Sequence, residues 1–317
     1  MSNDIKFSVT VPAFKAKFLK ECIDSILAQT YKNFEVIIVN DASPQDLDSI
    51  VNQYDDERIR YYKNEKGFGA YNVVGNWNKC LKYATGDYLI CMGDDDKLLP
   101  NCLQDYYDLI VKYPDLNVYH SMTEIIDENS EVSSIQDNRS ERESMLAFIW
   151  GKIIKRTYYI GDWLFKTSRL RENGGFYSLP YAWSSDLLSV IIAAREGGIA
   201  NTQVPGFQYR ISSLTISRSD KNVPGKLLAT EQTYQKILKI VKAQKCEGLD
   251  KVYKQLILNK LSEKYDQEKS DYMSHYLSPF LLLTEKKKKK YKISKKTVLR
   301  ALYYKACNLV RHSSRSI

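Results

Sequence analysis

Long apolar runs are missing from this chain: nowhere do its 317 residues approach the roughly 18 uninterrupted apolar positions of a membrane span. The opening MSNDIKFSVTVP has no charged stretch running into an apolar one, so folded structure is expected from the start, with no leader. Glycine (14) and proline (8) are few and no internal repeat is visible, which argues against fibrous or low-complexity architecture. Histidine is scarcer still. His120, His275 and His312 are scattered, lack the spacing of metal ligands, and are assigned no role. Six cysteines show no paired CxxC spacing and sit mostly in apolar segments, as buried thiols of a reducing cytosol would. Acidic residues are absent from position 286 onward, where twelve of the 47 lysines and arginines lie; the other 35 are outnumbered by 38 Asp and Glu. The net charge of +9 therefore belongs to the tail, and a basic nucleic-acid-binding body is excluded.

What is present is an alternation of strand-like and helix-like segments. Phe7–Val11 is a short β-rich run, and Phe18, Leu19, Cys22, Ile23, Ile26 and Leu27 then recur at helical spacing. Phe34–Val39 is continuously apolar, as in a strand covered on both faces, and ends in the polar turn Asn40-Asp41-Ala42-Ser43-Pro44. Helices are expected near 45–54 and 70–84, strands near 59–62 and 88–92, and a further helix from Pro100 to Tyr113. Beyond these come an amphipathic helix at 140–154, a strand and turn over 162–175 and a helix at 185–195. The pattern predicts an α/β fold with a mostly parallel sheet flanked by helices. After Pro224 it is helical almost throughout, near 225–243, 249–268 and 270–283, as a C-terminal extension. The domains expected are 1–224, in two parts that meet at about 115, and 225–317.

In such sheets ligands bind beyond the carboxyl ends of the strands, where both acidic turns fall. Met92-Gly93-Asp94-Asp95-Asp96 sets three carboxylates on one turn, and their repulsion in a low-dielectric crevice calls for a cation. Mn²⁺ or Mg²⁺ suits carboxylate oxygens shared with phosphates; a solvated acidic loop is the alternative. Asp41, otherwise an ordinary turn residue, could accept the N–H of a base such as uracil. Asp186 stands at a helix start, either as a cap or as a base. Tyr181, Trp183 and Trp150 offer flat apolar faces suited to sugar rings, with Trp183 favoured because it lies beside Asp186.

Taken in order, these motifs resemble the family 2 glycosyltransferases. The resemblance rests on Ser8-Val9-Thr10-Val11-Pro12-Ala13-Phe14, Leu27-Ala28-Gln29-Thr30-Tyr31, Phe34 to Ser43, Asn76-Trp77-Asn78, Ala84-Thr85-Gly86-Asp87-Tyr88 and Asp94 to Pro100. It implies a GT-A (nucleotide-diphospho-sugar transferase) fold and inverting transfer from a nucleotide-sugar, with a UDP-sugar favoured. By it Pro12, Ala13, Phe14, Asn76 and Asp41 line the nucleotide, Asp94 contacts ribose or diphosphate, and Asp95 is the principal metal ligand, with Asp96 beside it. Gly93 stands where many relatives have the first Asp, which leaves the ligand assignment open among the three. Asp186 becomes the general base, with Trp183 and Tyr181 toward the acceptor. Tyr209 to Ser213 takes the place of a loop over the diphosphate, so Arg210 neutralises leaving-group charge or forms a surface salt bridge.

The tail from Lys286 to about 310 pairs clustered lysines with Val298, Leu302, Leu309 and Val310 on one helix side, a pattern suited to an anionic membrane surface or to a solvated tail. The expectation is a cytoplasmic enzyme, peripheral at the inner membrane face, that acts on a glycan or lipid-linked acceptor in cell-surface polysaccharide synthesis. A non-catalytic sugar-nucleotide or glycan-binding scaffold and a nucleotidyltransferase are the alternatives.

Overall fold

A computed structural model describes residues 5–212, 223–275, 284 and 289–313. Two compact units result, one within 1–178 and 185–215, the other within 179–184 and 216–317.

The first unit is built on four parallel strands, β1 (Phe7–Ala13), β2 (Phe34–Asn40), β3 (Ile59–Lys63) and β4 (Tyr88–Cys91), in the order β3-β2-β1-β4. All seven residues of β2 are buried, as its apolar run requires. Helix α1 (Leu19–Leu27) turns Leu19, Cys22, Ile23 and Ile26 inward, and α3 (Val73–Tyr83) turns Val74, Trp77, Cys80 and Leu81. Between them α2 is only the turn Asp48–Val51, shorter than expected.

The sheet continues with β5 (Lys97–Leu98), β6 (Val118–Ile126), β7 (Val132–Ile135), β8 (Arg142–Glu143), β9 (Trp163–Lys166) and β10 (Ile199–Arg210). Here β9 runs antiparallel between β4 and β6, while β6 and β10 pair in parallel. Parallel registers are the longer ones, so the sheet is mostly parallel, with helices α4 (Cys102–Lys112), α5 (Met145–Ile153), α6 (Thr167–Glu172) and α7 (Ser185–Ala193) completing the unit. Two segments differ from expectation. The helix read from 140 begins only at Met145, where the Ser144 hydroxyl accepts from Ala147 N at 3.1 Å, because 142–143 is drawn into pairing with β10. The stretch 162–175 contains α6 between its strand and the Gly174-Gly175 turn.

One irregularity creates the crevice. β1 pairs with β2 as far as Ala13↔Asn40 but with β4 only as far as Thr10↔Cys91. The last residues of β1, Pro12 among them, therefore have a neighbour on one side alone, and a missing N–H costs no ladder bond on the other. The strand order also reverses here, which marks the switch point where α/β sheets bind ligands.

In the second unit, helices α8 (Val223–Ala243), α9 (Gly248–Ser274) and α10 (Lys295–Ser313) surround Val223, Leu227, Met273, Tyr291, Ile293, Val298 and Ala301. The break expected at residue 269 is absent. Lys269 reaches buried Glu231 at 2.5 Å and Ser270 Oγ donates to Thr297 O at 3.0 Å, so the polar pair faces inward and α9 runs through. Val298 and Leu302 pack into this unit's own core, and among the described side chains of α10 Leu299 (68% exposed) and Tyr303 (66%) are the large apolar ones turned outward; those of Leu309 and Val310 lie outside the described side chains. Residues 276–283 of the expected last helix and Lys286–Lys288 of the basic cluster lie outside the described residues.

Candidate functional site

Asp41 follows β2 directly, on a backbone where Ala42 has φ +52°. Its N–H donates to Ala13 O at 2.9 Å, which ties the ends of β1 and β2 together. The carboxylate is 8% exposed and already held: Oδ1 accepts from Asn64 Nδ2 (3.0 Å) and Phe68 N (2.8 Å), Oδ2 from Gly69 N (3.3 Å). A carboxylate has about four acceptor sites, so one stays open. Asn76 acts through Asn64: its Oδ1 accepts from Asn64 Nδ2 at 3.1 Å while its own Nδ2 donates to Val39 O at 3.0 Å. The loop fits this closely only because residue 67 is glycine; a Cβ there would lie 2.5 Å from Asp41 O.

Opposite it, where β4 departs from β1, stands the acidic turn. Asp94 Oδ2 accepts from both Phe14 N and Lys15 N at 2.6 Å, so this side chain closes the split between the strands. Asp96 is equally committed, with Oδ1 accepting from Arg210 N at 3.0 Å and Oδ2 from Gly93 N at 3.3 Å. Only Asp95 has no backbone partner among these bonds; the Lys15 ammonium bonds its Oδ2 and lies 3.4 Å from Asp94 Oδ1. Gly93 is explained by the same packing. A Cβ there would lie 2.8 Å from Asp96 Oδ2 and 2.9 Å from Asp95 Oδ1.

Burial dominates the electrostatics of this turn. It pushes the Asp94 carboxyl up against the pull of Lys15, and pushes Asp96 well above the usual carboxylate range, with Asp95 adding to it. Burial works against the Lys15 ammonium too, but the charges of Asp94, Asp95 and Asp96 outweigh it and hold the proton more tightly than usual.

Arg210 does not belong to a loop. It is the last residue of β10, 1% exposed, and its guanidinium donates to Asp95 O (2.7 Å), Asp127 O (3.0 Å), Ser130 Oγ (3.0 Å) and Glu21 Oε2 (2.9 Å) while lying 4.2 Å over the Phe18 ring. Its side chain is a strut beneath the acidic turn.

Asp186 lies in the first turn of α7, Oδ1 accepting from Leu187 N at 2.8 Å. Loss of water around it, with the Asp162 charge adding to the effect, pushes its carboxyl up to about 7. The chain enters α7 through Tyr181, Ala182 and Ser184, all at positive φ, a strained approach of the kind that functional sites keep. Tyr181 and Trp183 belong to the second unit, where Trp183 Nε1 donates to Tyr272 OH at 2.9 Å and the Lys226 ammonium lies 4.5 Å over its ring.

The structure thus brings Pro12, Ala13, Phe14, Asp41, Asp94, Asp95, Asp96 and, through its backbone, Arg210 to one strand edge. Three participants escaped the sequence reading: Lys15, Asn64 and Asp162. The last is fully buried directly before β9, accepts from Gln136 Nε2 (2.9 Å), Tyr159 N (3.1 Å) and Thr123 Oγ1 of β6 (3.2 Å), and is pushed up to about 7 by burial. Among the described residues no cluster of three or more His, Cys, Asp or Glu is arranged as a ready metal cage.

Residues 8–173, just over half of the chain, match the family model described as Glycosyl transferase family 2. The fold is GT-A: it is similar to that of Staphylococcus aureus TarS 1–349 in complex with UDP-GlcNAc, at a TM-score of 0.63 and 17% identity over 90% of this chain and 78% of that one. Among curated relatives, an uncharacterized glycosyltransferase of Rickettsia typhi is 33% identical over 39% of this chain and 38% of its own. The GalNAc(5)-diNAcBac-PP-undecaprenol beta-1,3-glucosyltransferase of Campylobacter jejuni is 40% identical over 31% of this chain and 32% of its own. Escherichia coli WfgD, the UDP-Glc:alpha-D-GlcNAc-diphosphoundecaprenol beta-1,3-glucosyltransferase, is 30% identical over 41% and 50%. The matches thus span half or less of these relatives. With its ordered motifs and its strand-edge site, the chain belongs to glycosyl transferase family 2.

Proposed function

We propose that this chain transfers a sugar, with inversion, from a UDP-sugar to a hydroxyl of a glycan or lipid-linked acceptor. The observation that carries the reading is the convergence of Asp41 and the Asp94–Asp96 turn on the split between β1 and β4. Asp41, with one acceptor site left, is suited to the N–H of uracil, while Phe14 (43% exposed) presents a ring at the same rim. UDP is also the nucleotide named for TarS and for the E. coli relative, and both lipid-linked relatives act on undecaprenyl diphosphate carriers.

Mn²⁺ or Mg²⁺ fits the turn in a restricted way. Asp94 gives one oxygen, Oδ2, to two backbone N–H groups and Asp96 accepts one N–H bond at each of its oxygens, so Asp95, whose carboxylate bonds no backbone N–H, is the one that would hold the ion, with substrate phosphates and water completing its shell. When bound, the ion would neutralise charge developing on the leaving diphosphate. Asp186 takes the proton of the incoming hydroxyl, whose oxygen attacks the anomeric carbon as UDP departs. Trp183 and Tyr181 are read as acceptor contacts.

The test is donor hydrolysis and binding across UDP-, GDP- and TDP-sugars, with and without Mn²⁺. Release of UDP, and stabilisation against heating by UDP-sugars alone, is the expected outcome; a preference for GDP-sugars would remove Asp41 as a uracil contact.

Membrane association is part of the proposal. Leu299 and Tyr303 lie outward on α10 beside exposed Lys295 and Lys296, and each Lys or Arg near an anionic surface contributes about 1 kcal/mol. The protein should sediment with anionic vesicles, and less so as salt rises. Equal binding to neutral vesicles would refute an electrostatic role for the tail.

A further inference from the structure

We propose that Lys15 is the resident cation of the acidic turn, and that a divalent ion must compete with its ammonium for Asp95; the inference rests on the reading of Asp95 given above. Lys15, just past the end of β1, is pinned at its backbone, where its N–H donates to Asp94 Oδ2 at 2.6 Å, so its side chain starts beside the turn it neutralises. From there the ammonium bonds Asp95 Oδ2 and lies 3.4 Å from Asp94 Oδ1, with its side chain 17% exposed. The only other cation bonded to this turn among the described residues, Arg210, gives its side-chain N–H groups to backbone oxygens, Ser130 and Glu21, and none to the three carboxylates.

Both Asp96 oxygens and Asp94 Oδ2 accept from backbone N–H groups, whereas the Asp95 carboxylate is bonded by Lys15 instead. An ion approaching Asp95 therefore meets an occupied oxygen and a like charge a few ångströms away, and both lower its affinity. The four-carbon stem of lysine is flexible and its ammonium compact, so it can swing aside when a stronger cation arrives, which a rigid guanidinium fork does less readily. The consequence is a protein that binds Mn²⁺ poorly by itself and well when a diphosphate supplies further oxygens. Lys15 thereby makes the metal and the donor arrive together, as a coupling between two ligands.

Mn²⁺ binding to the full chain without nucleotide, followed by the electron paramagnetic resonance of free Mn²⁺, tests this apart from turnover. Lys15→Gln keeps the backbone N–H and removes the charge; it should bind Mn²⁺ about tenfold more tightly than the unaltered protein or better. Lys15→Arg, which keeps the charge, should bind no more tightly than the unaltered protein. Adding Asp95→Asn to Lys15→Gln should abolish the gain. Equal or weaker Mn²⁺ binding by a folded Lys15→Gln variant overturns the competition, and if that binding is still lost on Asp95→Asn, the assignment of Asp95 survives. If Asp95→Asn leaves Mn²⁺ binding untouched in both backgrounds, the assignment of Asp95 falls and the inference with it.

Discussion

Asp186→Asn is expected to cut transfer by about 10²–10⁴-fold while leaving UDP-sugar affinity nearly unchanged. Inversion is a single displacement, so the incoming hydroxyl must give up its proton as its oxygen bonds to carbon, and only a positioned base makes that fast near neutral pH. A carboxyl at its ordinary value would be a weak base for this task. Asp186, held near 7, is matched to it. Asparagine retains an oxygen that can accept from Leu187 N, so α7 should keep its first turn and the loss should fall on turnover alone. Single-turnover kinetics beside calorimetric donor binding would separate the two effects. Retained transfer would remove Asp186 from the mechanism.

The sign of the pH dependence follows. The base acts deprotonated, so transfer should rise as pH passes upward through about 7. Asp162 raises Asp186 by its charge, while Lys152 opposes it. Asp162→Asn should therefore shift the limb to lower pH, and an unmoved profile would uncouple the two carboxyls. Folding stability runs the other way. Both groups titrate above the ordinary aspartate value of about 3.9, so the neutral forms contribute stability below roughly pH 4 that is lost as pH rises through 7.

How much of this could be read from sequence differs from residue to residue. Phe34–Val39 announced β2 because a strand covered on both faces has no polar side to show, and Asp41 and Asp94 then had to lie at strand ends. β10 was hidden by Pro205 and Gly206, which break its pattern where the pairing with β6 shifts register. Lys15 and Asp95 are 80 positions apart, Arg210 and Glu21 189. No local pattern records such a pairing; it exists only once the strand order brings the ends of β1, β4 and β10 together. The same holds for Asn64, whose role depends on β3 ending beside β2. A glycine in place of an acid at 93 was a visible departure, but its meaning was geometric.

Arg210→Ala is expected to lower stability by about 2–4 kcal/mol, through orphaned carbonyls at Asp95 and Asp127 and lost packing over Phe18. The figure stays below that of a fully buried ion pair because Glu21 is 45% exposed and water can take over its charge. Activity should fall as well, by an indirect route, since the acidic turn loses the bond to Asp95 O that holds it from below. Arg210→Lys should recover only part of the stability, because a single ammonium cannot reach four acceptors set in a fork. A direct contact with the donor diphosphate would give a different signature: UDP affinity lost at unchanged stability. Urea denaturation of the two variants beside UDP titration decides between them, and a stable Arg210→Ala protein with weakened UDP binding would return Arg210 to the donor.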